Sequence, residues 1–149
     1  TFRSCPLDGT ETETDEWRRA EIPAAGGIGN ARSISRVHSA IACGGGLNGI
    51  TLMRPETITA ALERQTFERD IVLGLAVPYG TGFGINHERV PLTPSARTLY
   101  WFGWGGSMGV IDLDERMTNS YAMNKMAGGL VGDSRAFNLI AATYAAIGK

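Results

Sequence analysis

The chain has 149 residues, a formal net charge of −1, 43% hydrophobic residues and 19% charged residues. The length is that of one domain, and the composition excludes a disordered chain. No apolar run approaches the roughly 20 residues that a membrane helix needs. The near-neutral charge, without a basic cluster, argues against nucleic acid as the main partner.

Cysteine and histidine are scarce, and the residues are Cys5, Cys43, His38 and His87. They lack the close paired spacing of a zinc site, so we expect no metal, and no motif predicts a cofactor. A Cys5–Cys43 bridge would fit the count, but we expect two reduced, buried thiols.

Residues 1–20 are predicted to be a polar N-terminal segment. Its acidic, turn-prone run "DGTETETDE" predicts a solvated loop. The chain begins with Thr1 and shows no signal-peptide pattern, so we expect its start to differ from the start of the gene. Residues 21–149 are predicted to form the folded part.

Three segments have the periodicity of helices. The first is "ARSISRVHSAIA", in which Ile34, Val37 and Ile41 recur at three and four residues. The second, "PETITAALERQ", begins at Pro55, a residue suited to a first helical turn, and the last begins near Asp133, whose carboxylate can cap it. The predicted buried positions of these two helices are Ile58, Ala61 and Leu62, then Phe137, Ile140, Ala141, Tyr144 and Ala145.

Four segments favour strands. "DIVLGLAV" (70–77) is apolar and β-branched, and three further extended pieces, "TLYW", "SMGVID" and "TNSYAM", follow a Gly- and Pro-rich loop. Consecutive strands joined by short turns pair antiparallel, with helices packed on a face of the sheet. The predicted fold class is therefore α+β, with an antiparallel sheet of at least three strands.

Two glycine motifs have a context that argues against their usual functions. The glycines of "GGGLNG" fit a dinucleotide fingerprint, but they follow a helix rather than a strand, so turn glycines are expected. Gly105–Gly109 fits G-x-S-x-G around Ser107. A nucleophile elbow needs a helix directly after the serine and a histidine later in the chain, and neither follows Ser107. An α/β-hydrolase-like enzyme using Ser107 is kept as an alternative.

From Glu21 onward the chain resembles the C-terminal portion of the serine β-lactamase, penicillin-binding-protein and family VIII carboxylesterase superfamily. The matching pieces are "EIPAAGGIGN" with its Pro-x-x-Gly-Gly loop, the turn "LMRPE", "YGTGFGI", and "YWFGWGGSMGVIDLDERMTNSYAMNKM". The resemblance implies acyl-enzyme chemistry on a Ser-x-x-Lys helix, with a third motif, Lys-Thr-Gly or a Trp- or His-containing triplet, on a strand. No serine in this chain has a lysine three residues later, so only the third motif is expected here.

Two triplets could be that third motif, Trp101-Phe102-Gly103 or Trp104-Gly105-Gly106. The spacing to the acidic Asp112 favours the first. The resemblance then implies that the backbone N–H of Trp104 is an oxyanion-hole donor. It further implies a substrate-binding set of Trp101, Phe102, Gly103, Gly105, Gly26 and Gly27.

Neither triplet supplies the cation of Lys-Thr-Gly, which favours a neutral small-molecule ester or acyl substrate over a penicillin-like acid. We expect this chain to be inactive alone. We also expect it to join an N-terminal half that carries the nucleophile, or to self-associate. A non-catalytic binding module with the same fold is the other alternative, and the compartment is not indicated.

Overall fold

A computed structural model describes residues 9–149, which fall into two units, one ending at Asn30 and one spanning Ala31–Lys149. In the first unit a 3₁₀ helix, Thr10–Glu13, precedes a short α-helix, α1 (Asp15–Arg19). The Thr14 hydroxyl caps α1 by accepting a hydrogen bond from the Trp17 amide at 3.2 Å. The predicted loop is therefore wrong for residues 10–13 and 15–19, which are helical, although most of them are exposed to solvent as expected. Residues 1–8 of the predicted N-terminal segment lie outside the described part.

The second unit contains three helices, one small hairpin and one larger sheet. The helices are α2 (Ala31–Ala42), α3 (Pro55–Leu62) and α4 (Ser134–Ala146). Strands β1 (Gly46–Leu47) and β2 (Ile50–Thr51) form the hairpin. The antiparallel sheet has the order β3 (Gly84–Ile85), β4 (Thr98–Phe102), β5 (Met108–Asp112) and β6 (Met117–Tyr121). This confirms the α+β class with helices on an antiparallel sheet.

Alternating residues of β4 and β5 build a core on each face of the sheet, as the period of two in a strand requires. Leu99 and Ile111 are fully buried in one cluster, together with residues of α2 and α3. Tyr100 and Val110 belong to the second cluster, together with residues of α4. The sheet therefore separates α2 and α3 from α4.

The predicted strand at residues 70–77 is wrong. Asp70 Oδ1 accepts hydrogen bonds from the amides of Val72 and Leu73, both at 2.8 Å, and Gly74 has a φ of +71°. This turn reverses the chain after three apolar residues, Ile71, Val72 and Leu73, and Ile71 is 99% exposed. β3 instead occupies two residues of the predicted glycine-rich loop.

The helices begin where the sequence predicts, but their buried faces differ in part. Asp133 caps α4 by accepting a hydrogen bond from the Arg135 amide at 2.9 Å, as predicted. The α4 residues that are buried are Ala136, Ile140 and Tyr144, whereas Phe137, Ala141 and Ala145 are exposed. Val37 of α2 is also exposed, and Ile58 of α3 is buried as predicted.

Among residues 9–149, no helix is both long and apolar enough to cross a bilayer. Cys43 is a free, half-buried thiol, and Cys5 lies outside the described part.

Candidate active site

The turn between β4 and β5 carries both predicted triplets, at different places. Trp101 and Phe102 are the last two residues of β4, whereas Trp104, Gly105 and Gly106 lie in the turn itself. The Gly103 amide donates to the Ser107 carbonyl at 2.8 Å, and the Gly106 amide donates to the Gly103 carbonyl at 3.2 Å. The strand ladder therefore extends to Gly103, and the chain reverses over the next three residues.

The end of β4 has one strand beside it rather than two. The β3 ladder pairs Gly84 with Tyr100 and Ile85 with Leu99, and it does not reach Trp101. The β5 ladder continues along Trp101 and Phe102. Within the described chain, the end of β4 therefore forms an open edge of the sheet, where main-chain groups can meet a ligand.

A groove of about 220 Å³ lies beside this open edge. Trp101, on the α2 face, is 41% exposed. The ring of Phe102 turns to the opposite face and packs at 5.2 Å from Tyr100 and 6.0 Å from Phe137, centroid to centroid. The lining of the groove is mainly apolar and consists of Ile34, His38, Phe83, Trp101, Phe102, Gly103, Ser107, Met108 and Gly109.

His38 of α2 lies directly over Gly109 of β5. A Cβ built on Gly109 would come within 2.7 Å of His38 Cε1, so the glycine makes room for the ring. His38 Nδ1 is buried and has no hydrogen-bond partner among the described residues. Burial lowers the pKa of His38, because the charged imidazolium loses water without gaining a partner. The wall of the groove is therefore a neutral imidazole at pH 7.

Polar groups at the start of α4 bind the β4–β5 turn on the side that faces away from the groove. Arg135 Nη2 donates to the Gly105 carbonyl at 3.0 Å, and Nη1 donates to the Lys125 carbonyl at 2.7 Å. The side chain of Asp133 accepts from Arg135 Nε at 3.1 and 3.2 Å. The hydrogen bonds from Arg135 lower the pKa of the Asp133 carboxyl. Arg135 therefore joins the turn, α4 and the segment after β6.

The structure brings only part of the predicted substrate-binding set together. Trp101, Phe102 and Gly103 line the groove, but Gly105 is buried against Met123 and Met126 on the other side of the turn. Gly26 and Gly27 belong to the first unit, where the Gly26 amide donates to the Ile22 carbonyl at 2.6 Å. Their role and that of Gly105 stay predictions.

Ser107 is not in a nucleophile elbow. Strand β5 begins at the next residue, Met108, and the Ser107 hydroxyl donates to Met123 Sδ at 2.7 Å. An elbow requires a helix in that place. The alternative of an α/β-hydrolase that uses Ser107 is therefore wrong.

Several groove residues were missed in the sequence. Phe83 lies in the matching piece "YGTGFGI" and Gly109 ends the G-x-S-x-G motif, but neither residue was predicted to line the groove, and neither was His38. Ile34 was predicted to lie on the apolar face of an amphipathic helix, and it lines the groove. The one available signal was a glycine inside a strand, which marks a close approach by another group. Within residues 9–149, no cluster of three or more His, Cys, Asp or Glu is placed to hold a metal ion.

Comparison with known proteins identifies the family. The family profile described as Beta-lactamase matches residues 3–143. The chain belongs to the β-lactamase family. Its antiparallel sheet with packed helices matches the β-lactamase-like fold.

Three proteins illustrate the similarity. The crystal structure of a family VIII carboxylesterase is 34% identical with a TM-score of 0.88, and the match covers 97% of this chain and 39% of that one. A penicillin-binding protein homolog from Caulobacter crescentus is 39% identical with a TM-score of 0.83, covering 89% and 36%. The esterase/β-lactamase LipL of Mycobacterium tuberculosis is 32% identical over 115 residues, covering 75% and 25%. This β-lactamase-family chain thus spans a quarter to two fifths of the length of these relatives.

Proposed function

We propose that this chain supplies the third active-site strand and one oxyanion-hole donor of a serine hydrolase, and that the nucleophile comes from outside the chain. The hydrolase forms an acyl-enzyme on a Ser-x-x-Lys serine, which this sequence lacks. In this proposal, Trp101-Phe102-Gly103 is the third motif, and the backbone N–H of Trp104 stabilises the developing oxyanion.

The observation that carries the proposal is the open edge at the end of β4. Successive amides of an extended strand point to opposite edges. The Gly103 amide donates towards β5, so the Phe102 amide is expected at the open edge. The Gly103 carbonyl accepts from the Gly106 amide inside the turn, and because the Gly103–Trp104 peptide is trans, the Trp104 N–H is expected to point the opposite way, towards the open edge. A main-chain donor fixed at a sheet edge does not reorganise when charge develops, and one such donor contributes about 3–4 kcal/mol to transition-state stabilisation.

The lining of the groove supports a neutral ester with a short apolar acyl group as the substrate. Trp101 and Phe83 offer aromatic surface, and His38 is neutral because burial lowers its pKa. Among residues 9–149, no lysine or arginine lines this groove, so this part of the chain offers a substrate carboxylate no cation to pair with there. Desolvating such an unpaired carboxylate is costly, which favours neutral esters over penicillin-like acids.

The test joins this chain to the portion of the family VIII carboxylesterase that it does not cover. We expect the fusion to hydrolyse p-nitrophenyl butyrate faster than the cephalosporin nitrocefin, and this chain alone to hydrolyse neither. A serine-reactive phosphonate should label a serine outside this chain. A folded fusion that is labelled but turns over no ester would contradict the proposal and favour a non-catalytic binding module.

The donor role of Trp104 has its own pair of variants in the same fusion. Trp104→Pro removes the backbone N–H, so kcat is expected to fall about 10²- to 10³-fold. Trp104→Ala keeps the amide and loses only the indole, so most of kcat should remain. Circular dichroism checks that both variants fold. An equal loss of kcat in the two variants would rule out the amide as the donor.

A further inference from the structure

The turn that carries Trp104 is closed by the Gly103–Ser107 and Gly106–Gly103 hydrogen bonds, but two of its residues are glycines. Gly105 and Gly106 have φ values of +92° and +114°, in the region that favours glycine. Glycine pays the largest conformational entropy on being fixed, and it has no side chain with which to anchor itself. Contacts from neighbouring segments to these glycines therefore restrict the backbone that follows Trp104.

Within residues 9–149, hydrogen bonds to Gly105 come from the segment 127–129 and from α4. The Gly105 amide donates to the Gly129 carbonyl at 3.0 Å, and the Ala127 amide donates to the Gly105 carbonyl at 2.9 Å. The same Gly105 carbonyl also accepts from Arg135 Nη2. The Gly105 carbonyl, one residue after Trp104, therefore accepts two hydrogen bonds, one of them from the guanidinium. Nη1 of the same guanidinium donates to the Lys125 carbonyl in the segment after β6.

Arg135 is itself held by hydrogen bonds to Asp133. It lies in the first turn of α4, and its Nε and Nη2 donate to the Asp133 carboxylate. The ion pair leaves no room for a side chain at residue 106, because a Cβ there would lie 2.2 Å from Asp133 Oδ2 and 2.9 Å from Arg135 Nη2. A side chain at residue 106 would therefore displace the ion pair or the turn.

The Asp133–Arg135 pair acts on the turn by fixing its geometry rather than by an electrostatic field at the oxyanion. The Asp133 carboxylate neutralises the guanidinium, so little net positive charge faces an oxyanion. A planar guanidinium can bridge two carbonyls and a carboxylate at fixed angles, which a lysine ammonium cannot do.

We propose that Arg135, held by Asp133, is a positioning residue that clamps the Gly103–Ser107 turn and so fixes the Trp104 amide. This inference rests on the proposed function, since the clamp matters for catalysis only if that amide is a donor. Arg135 contacts no groove-lining carbonyl of β4, so its effect on the reaction passes through the turn.

Amide hydrogen exchange on this chain tests the clamp without any activity. In Arg135→Lys, exchange of the Gly105 and Gly106 amides should rise at least about tenfold, while that of the β5 amides Val110 and Ile111 stays unchanged. Arg97→Lys is the matched control: Arg97 also pairs with an aspartate, Asp114, but beyond the opposite end of β4. Unchanged exchange at Gly105 and Gly106 in Arg135→Lys would overturn the clamp.

Kinetics of the fusion described above tests the consequence. Arg135→Lys should lower kcat about 10- to 100-fold with KM nearly unchanged, because a misplaced donor weakens the transition state and not substrate binding. Arg97→Lys should keep both constants. A rise in KM at constant kcat would overturn the positioning role. If the wild-type fusion hydrolyses no ester, the proposed function fails, whereas the exchange result still decides whether Arg135 clamps the turn.

Discussion

Gly109 shows how one missing side chain shapes the candidate site. It is the only residue type that lets a ring on α2 approach β5 this closely, because a Cβ would lie 2.7 Å from His38 Cε1 and 3.2 Å from Nδ1. His38 forms part of the groove wall, and its buried Nδ1, which has no hydrogen-bond partner among the described residues, lies against Gly109 of the sheet. The glycine and the histidine are therefore a complementary pair.

We predict that Gly109→Ala destabilises the chain by about 1–3 kcal/mol, because the new methyl group overpacks against the imidazole. In the His38→Ala background, the same substitution should cost much less, since the ring is gone. Urea denaturation of the four proteins of this double-mutant cycle measures the coupling. Gly128→Ala is the matched control, because no atom lies within 4 Å of a Cβ there. A cost of Gly109→Ala that is equal in both backgrounds would refute the pairing.

At the scale of the elements, a buried carboxylate ties α4 to the sheet. Asp112, at the end of β5, is 1% exposed and accepts from the amides of Asp114 and Glu115, both at 2.9 Å. Its second oxygen accepts from the Tyr144 hydroxyl of α4. Burial and this hydrogen bond raise the pKa of Tyr144, so its hydroxyl remains a donor throughout the usual pH range. One carboxylate thus shapes the β5–β6 turn and anchors the last helix.

We predict that Tyr144→Phe lowers the free energy of unfolding by about 1–3 kcal/mol, because it leaves a buried carboxylate one donor short. Thermal unfolding followed by circular dichroism measures the loss. Tyr121→Phe is a suitable control, since Tyr121 is half-buried in β6 and its contact with Arg135 is through the ring. Tyr144→Phe as stable as the wild type would mean that this hydrogen bond contributes nothing.

Strands and helices with regular apolar spacing were predictable from the sequence, and the exceptions have local causes. β4, β5 and β6 follow extended segments, and their pairing follows from the short turns between them. The segment at 70–77 has the composition of a strand, but Asp70 binds the next amides and Gly74 reverses the chain. Composition does not reveal a side chain that competes with a ladder for backbone amides.

The candidate site was predictable only where it is continuous in sequence. The β4–β5 turn was found through its tryptophans and glycines. His38, Phe83 and Arg135 reach it from other elements, and their positions depend on how α2 and α4 pack on opposite faces of the sheet. Such packing depends on side-chain shape and burial, which a linear motif does not encode.

At the scale of the molecule, the second unit leaves features that usually have a partner. Among residues 9–149, β6 has a strand on one side only. Several large apolar side chains are also exposed to solvent, among them Ile71 (99%), Ile50 (71%) and Val72 (60%). Exposed strand edges and apolar patches favour association.

We therefore predict that this chain alone has an apparent mass above its 15.9 kDa, rising with concentration, in light scattering coupled to size exclusion. Adding the complementary portion of the family VIII carboxylesterase should replace this species by a defined complex. Ile71→Ser should reduce association without loss of stability if the apolar side chains drive it. A single species of 15.9 kDa at all concentrations would show that the chain needs no partner.

The hydrogen bond from Arg135 to Gly105 joins residues 30 apart in the sequence. The β4–β5 turn beside the groove therefore depends on the last helix for part of its support. Deleting α4 would remove none of the groove-lining residues, but it would remove the hydrogen bond that Arg135 makes to the β4–β5 turn. C-terminal tags or truncations that unwind the beginning of this helix would consequently resemble defects in chemistry, although no reacting group had been altered.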